Sequence, residues 1–211
     1  IVPYVMYHME QPLGDASAIA FAIALGIVSV SRLFAPIFWG EDFAPCAYIL
    51  SALALSIPFS GFANVIRMQY LIPNGMDGAY ILSVILGAVS NLTANSLLIP
   101  RCGALGAAVG TVIAEGVVCA AQCLAVKKRI DILAYLKSTA FFGMAGLLMY
   151  GAVRVLDQRA EITVSWLLLE IVVGGSVYCI LYVLYLYHTK NELLMTALQK
   201  LGGAHQNNDR G

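Results

Sequence analysis

Six apolar stretches, each long enough to cross a bilayer as a helix, occupy most of this 211-residue sequence. A helix rises ~1.5 Å per residue, so about 20 apolar residues cross the ~30 Å hydrocarbon layer of a membrane. We therefore predict an integral membrane protein with about six transmembrane helices. The predicted spans are residues 18–39, 46–70, 79–99, 104–126, 135–156 and 165–187.

The composition indicates that most side chains face lipid or one another. Hydrophobic residues make up 60% and charged residues 11% of the chain, which is too little polar surface to coat a water-soluble domain of this length. Backbone amides in hydrocarbon must be satisfied within helices or closed barrels, and the apolar runs here are continuous rather than alternating. The predicted fold class is therefore all-α. A net charge of zero gives no support to polyanion binding, nucleic acid included.

Lysine and arginine are unevenly distributed between the connections of the predicted spans. Alternate connections together with the C-terminal tail carry eight of these residues, the opposite connections carry three, and Arg32 lies inside a span. Because basic residues favour the cytoplasmic side, both termini are predicted to be cytoplasmic. Residues 1–187 form the predicted domain in the cell (cytoplasmic) membrane, and residues 188–211 form a predicted polar cytoplasmic tail.

The third and fourth spans carry polar and small residues at helical spacing. Asn91 and Asn95 are four residues apart and so project from one face, where an amide must meet another helix or a wet cavity. Both environments remain open at this point. Gly103, Gly106 and Gly110 form a small-residue surface, which predicts the close approach of a neighbouring helix.

Ionisable residues inside the spans are further candidates for a functional site. Glu115 lies midway along the fourth span, where a carboxylate costs ~2.5 to 3.5 kcal/mol unless paired, hydrated or protonated. It is either a cavity-lining proton carrier or cation ligand, or a structural residue, and Gln122 shares its face. Arg32 is deep enough that we expect a cavity, a carboxylate or a missing part of the protein beside it. Arg67 either reaches the interface or, like Arg32, binds phosphate in a cavity. Glu170 is expected at the interface.

The sequence lacks common catalytic and nucleotide-binding motifs. It contains no G-x-x-x-x-G-K-[ST], H-E-x-x-H or G-x-S-x-G, and its five cysteines show no metal or disulfide spacing. We therefore expect no cofactor and no metal. These absences favour transport or a structural role over an enzyme.

An ordered set of motifs supports a more specific interpretation. The set comprises Phe-Trp-Gly-Glu-Asp-Phe-Ala at residues 38–44, the asparagine- and proline-containing segment 63–75, the segment 87–108, and Thr-Val-Ile-Ala-Glu at residues 111–115. In this order the motifs resemble the C-terminal part of Wzx-type polysaccharide flippases. That family belongs to the superfamily that also holds the MATE drug exporters and the lipid II flippases.

The resemblance implies a transporter of two helical bundles, with about 12 to 14 spans around a central cavity, that moves lipid-linked oligosaccharides to the outer leaflet. This chain would supply most of the second bundle and two trailing helices. We therefore expect a fragment whose partner is the missing N-terminal bundle, and the start at Ile1 agrees with that expectation. Two alternatives remain open: a multidrug or cation exporter of the same superfamily, and a stand-alone membrane scaffold that packs with a separately encoded half.

Overall fold

The computed structural model describes the backbone of residues 2–158 and 161–188, with side chains at 18–132, 140–158, 161–185 and 187. This part of the chain is helical between short turns and contains no strand. The predicted tail lies outside the described residues from residue 189 onward. The helices are α1 (Val2–Trp39), α2 (Cys46–Ala54), α3 (Ser56–Ile66), α4 (Asp77–Val126), α5 (Ile132–Asp157) and α6 (Val164–His188).

The described residues contain five helical segments that are long and apolar enough to cross a membrane, rather than six. The difference lies in α4, which is 50 residues long and reverses direction at Gly103, where φ is 55° and ψ is −134°. Only glycine adopts this backbone conformation readily. The predicted spans 79–99 and 104–126 thus fall in the two antiparallel arms of one helical element, which we call the first arm (residues 77–102) and the second arm (residues 104–126).

Close contacts hold the two arms of α4 together. Gln122 Nε2 on the second arm donates a hydrogen bond to Ser83 Oγ on the first arm at 3.1 Å. Near the turn, a Cβ added to Gly106 would lie 2.5 Å from the carbonyl oxygen of Leu98. A larger residue than glycine at position 106 would therefore have to push the two arms apart.

The second apolar stretch is an interrupted helix. Leu55 separates α2 from α3, and Pro58 follows in the first turn of α3, where the missing proline N–H does little harm. After α3, residues Arg67–Leu71 form a turn of π-helix. Such turns are rare and occur often at functional sites because the extra residue redirects the neighbouring side chains.

Helix α1 lies at the centre of the packing and contacts α2 and α3 on one side and α5 and α6 on the other. Helix α4 packs against α2 and α3. Hydrogen bonds help to fix α1 to its neighbours: the Ser31 and Ser51 hydroxyl oxygens are 2.8 Å apart, and Tyr178 Oη donates to the carbonyl oxygen of Ala18 at 2.6 Å.

Large apolar side chains cover much of the outer surface. Leu92, for example, is 72% exposed and Val155 is 69% exposed. A surface of this kind suits lipid rather than water, because lipid imposes no penalty on apolar area. The predicted all-α membrane fold is confirmed.

Candidate functional site

A cleft of about 400 Å³ opens between α3 and the two arms of α4. It brings together three residues that the sequence analysis selected, namely Arg67, Glu115 and Gln122, and adds Asn64. Its walls are otherwise small or apolar. The lining residues are Ile57, Ser60, Gly61, Ala63, Asn64, Arg67, Tyr80, Val84, Glu115, Val118 and Gln122.

Arg67 is held at the cleft by contacts on two elements. It is the first residue of the π-helical turn, and its Nη2 donates a hydrogen bond to Oδ1 of Asn64, one turn earlier on α3. The guanidinium carbon lies 5.3 Å from the ring centroid of Tyr80 on the first arm of α4, which is cation–π distance. The side chain is therefore oriented by its neighbours and is not simply extended towards a membrane interface.

Glu115 and Gln122 come from the second arm, seven residues apart and thus on one helix face. Glu115 is half-buried, whereas Gln122 is 1% exposed. Gln122 Nε2 bonds Ser83 Oγ, and the Ser83 hydroxyl in turn bonds the carbonyl oxygen of Tyr80 at 2.6 Å. Gln122 thus joins the arms at the base of the cleft, which leaves Glu115 as the carboxylate on its wall.

Asn91 and Asn95 lie outside this cleft. Asn95 Nδ2 donates to Asn91 Oδ1 at 2.8 Å, so the pair shares one face of the first arm. Gly110 of the second arm faces Asn95 so closely that an added Cβ would clash with its side-chain oxygen. The pair is therefore placed between the arms of α4.

The three selected glycines have two different roles. Gly106 and Gly110 allow the arms of α4 to approach each other. Gly103 has a different role from the predicted one, because no atom lies within 4 Å of a Cβ added there and its positive φ makes the turn.

Arg32 is in another part of the fold. Its Nη1 pairs with Asp157 Oδ2 at 3.2 Å. Of the three expected neighbours of Arg32, namely a cavity, a carboxylate or a missing part of the protein, the structure therefore shows a carboxylate. Arg154 Nη1 reaches the same oxygen at 2.7 Å. Glu170, which we expected at the membrane interface, is 1% exposed and lies against α1 and α5. The burial of Glu170 arises from packing between helices far apart in sequence, so nothing in the local sequence of α6 indicated it.

The described residues contain no group of three or more histidine, cysteine, aspartate or glutamate side chains able to hold a metal. The five cysteines are free thiols. The cleft presents one guanidinium, one carboxylate, two amides and the hydroxyls of Ser60 and Tyr80, which can bind charged or hydrogen-bonding groups.

The fold resembles that of a solved membrane transporter. A structure described as the lipid II flippase MurJ in an inward closed conformation aligns with this chain at a TM-score of 0.77 and 20% sequence identity. The alignment covers 89% of this chain and 40% of that chain, so this chain spans less than half the length of the MurJ structure. Likeness at this identity establishes a shared fold. No family model matches the sequence, and no curated protein matches it at a significant level.

Proposed function

We propose that this chain is the C-terminal part of a transporter that flips lipid-linked oligosaccharides across the cytoplasmic membrane for surface polysaccharide synthesis. The fold shared with a lipid II flippase supports a lipid-linked substrate, and the ordered motifs favour the Wzx-type branch. In this proposal an N-terminal bundle completes the transporter, and both termini are cytoplasmic. The transporter moves its substrate without catalysing a covalent reaction.

The observation that carries the proposal is the placement of Arg67 in a cleft beside Glu115. A guanidinium has five N–H donors and stays charged, so Arg67 retains donors for a phosphate oxygen after bonding Asn64. Tyr80 and Asn64 hold the guanidinium in place, which reduces the entropy lost when a phosphate binds. Glu115 would repel that phosphate when ionised, so protonation or a cation at Glu115 would accompany substrate binding.

The test is complementation of a flippase-deficient strain by the complete transporter that contains this chain. Arg67→Ala should lower surface polysaccharide about tenfold or more, since a hydrogen bond to a charged group contributes ~1.5 to 3 kcal/mol. Arg67→Lys should recover part of the activity. Arg101→Ala is the matched control, because Arg101 is exposed near the turn of α4 and bonds the Leu97 carbonyl.

Membrane levels of every variant are measured in parallel. If Arg67→Ala restores polysaccharide at a normal membrane level, Arg67 does not bind the substrate phosphate and the proposal loses its site. Equal losses in Arg67→Ala and Arg101→Ala would indicate a general effect of removing positive charge.

A cation exporter is the second candidate, and the carboxylate of Glu115 in the cleft is the observation that favours it. An exporter of this kind would need Glu115 more than Arg67. Resistance to lipophilic cations that is abolished by Glu115→Gln and retained in Arg67→Ala would select this candidate over the flippase.

A further inference from the structure

The junction of α1, α5 and α6 contains a second set of charges, which we call the junction cluster: Arg32, Arg154, Asp157 and Glu170. Asp157 is 2% exposed and Glu170 is 1% exposed. Asp157 Oδ2 accepts hydrogen bonds from both arginines, at 3.2 Å from Arg32 Nη1 and 2.7 Å from Arg154 Nη1. The two guanidinium groups are about half exposed, at 54% and 49% of the side chain.

Glu170 differs from Asp157 in having no hydrogen-bond partner for either carboxylate oxygen among the described residues. It lines a largely apolar groove of about 370 Å³ between α1, α5 and α6, whose walls include Gly26, Met149 and Gly174. An ionised carboxylate that lacks partners in such a place is expensive, whereas the neutral acid is tolerated. The surroundings of Glu170 therefore favour its neutral, protonated form.

The charged groups of the junction cluster provide a way to stabilise the ionised form of Glu170. The charges of Asp157, Arg32 and Arg154 all act on Glu170. Without Glu170 the cluster carries one net positive charge, so an ionised Glu170 would make it neutral. The charged and titratable groups around Glu170 are Arg32 from α1, Arg154 and Asp157 from α5, and Tyr178 and Cys179 from α6.

Arg32 is the better partner for an ionised Glu170. Arg154 is held more firmly, because its bond to Asp157 is shorter and its Nε also donates to Tyr150 Oη at 3.0 Å. Arg32 makes the longer bond to Asp157 and has the more exposed side chain. Moving Arg32 from Asp157 to Glu170 would leave Asp157 paired with Arg154, so no carboxylate would lose all its partners.

We propose that Glu170 is a proton-binding site whose occupancy determines whether Arg32 of α1 pairs with a carboxylate on α5 or with one on α6. With the proton bound, Glu170 lies neutral in the groove and Arg32 ties α1 to Asp157 on α5. On release, the proton passes to water at the exposed arginine end of the cluster, and Arg32 pairs with Glu170, which ties α1 to α6. The inference does not depend on the proposed substrate.

The test uses dicyclohexylcarbodiimide, an apolar reagent that adds to neutral carboxylic acids and leaves a stable N-acylurea on the side chain. The whole chain is purified in detergent, treated over a range of pH, and digested for mass spectrometry. We expect an adduct on Glu170 whose yield falls as the pH rises, and little adduct on the exposed Glu161. Arg32→Gln should raise the yield several-fold at the alkaline end, because the ionised form loses its partner. Arg101→Gln is the matched control and should leave the yield unchanged.

Cys179 reports whether reagents enter the groove, because it lines the same groove and is exposed. Its labelling by N-ethylmaleimide is followed in the same samples. A labelled Cys179 with no adduct on Glu170 would overturn the proposal, and so would an adduct whose yield is independent of pH. Equal yields in Arg32→Gln and Arg101→Gln would overturn the exchange of Arg32 between carboxylates.

Discussion

The cleft and the junction cluster use the same residue types in opposite ways. In the cleft, Arg67 and Glu115 line an open volume, and the described contacts include no hydrogen bond or ion pair between the two residues. In the junction cluster, the carboxylates of Asp157 and Glu170 are buried and the arginines cover them from the exposed side. An arginine inside a membrane protein is therefore available to an anionic ligand when no buried carboxylate already occupies its donors, as Asp157 occupies those of Arg32 and Arg154.

The two regions also occupy different ends of the bundle. Arg32 lies one to two turns from the end of α1, near the connection that leads to α2, whereas Arg67 lies at the far end of α3. In the proposed orientation the cleft is on the cytoplasmic half and the junction cluster is on the outer half. A proton bound at the outer cluster and a phosphate bound at the inner cleft could then be exchanged from opposite sides.

The largest effect is expected from removing the shared carboxylate of the junction cluster. Asp157→Ala leaves two arginines without their partner and should lower the free energy of unfolding by about 2 to 3 kcal/mol, less than for a fully buried pair because the arginines are half exposed. Glu115→Ala in the cleft should cost under ~1 kcal/mol, since no bond to it is described. Thermal unfolding in detergent measures both.

Glu161→Ala is the control for Asp157→Ala, because Glu161 is an exposed acid in the connection between α5 and α6. Similar midpoints for Asp157→Ala and Glu161→Ala would remove the basis for calling the junction cluster structural. A large loss in Glu115→Ala would show that the cleft carboxylate has a partner that stabilises the fold.

How far the sequence could predict these regions depends on whether the interactions are local. Apolar runs predicted the helices, and the spacing of Asn91 and Asn95 predicted their shared face, because both follow from helix geometry alone. Arg32 and Asp157 are 125 residues apart, so their pairing follows from the packing of α1 on α5. Pro58 was a local signal for the break at Leu55, whereas the π-helical turn at Arg67 had none, although both determine where Arg67 lies.

A smaller effect is expected from a residue that sets the spacing between the two arms of α4 near their turn. Gly106→Ala places a methyl group 2.5 Å from the Leu98 carbonyl oxygen and must push the arms of α4 apart. Overpacking of this kind costs about 1 to 3 kcal/mol. Gly116→Ala, on the same arm, is the matched control because nothing lies within 4 Å of its added Cβ.

Comparing Gly106→Ala with Gly116→Ala separates the effect of packing from that of helix propensity, since alanine has a higher helix propensity than glycine at both positions. Thermal unfolding should therefore show a lower midpoint for Gly106→Ala and an unchanged or higher midpoint for Gly116→Ala. If both variants are stabilised, the arms of α4 are not in close contact near the turn.

The smallest effect is expected from the polar link at the base of the cleft. Gln122→Leu removes the bond to Ser83, but the Ser83 hydroxyl keeps its bond to the Tyr80 carbonyl oxygen. The change also removes Gln122 Oε1, a buried oxygen without a partner among the described residues. Because the lost bond and the removed unsatisfied oxygen oppose each other, the free energy of unfolding should change by less than ~1 kcal/mol. A loss as large as that of Asp157→Ala would mean that Gln122 holds the arms together as firmly as the junction cluster holds α1 to α5, and the contrast between an open cleft and a structural cluster would fail.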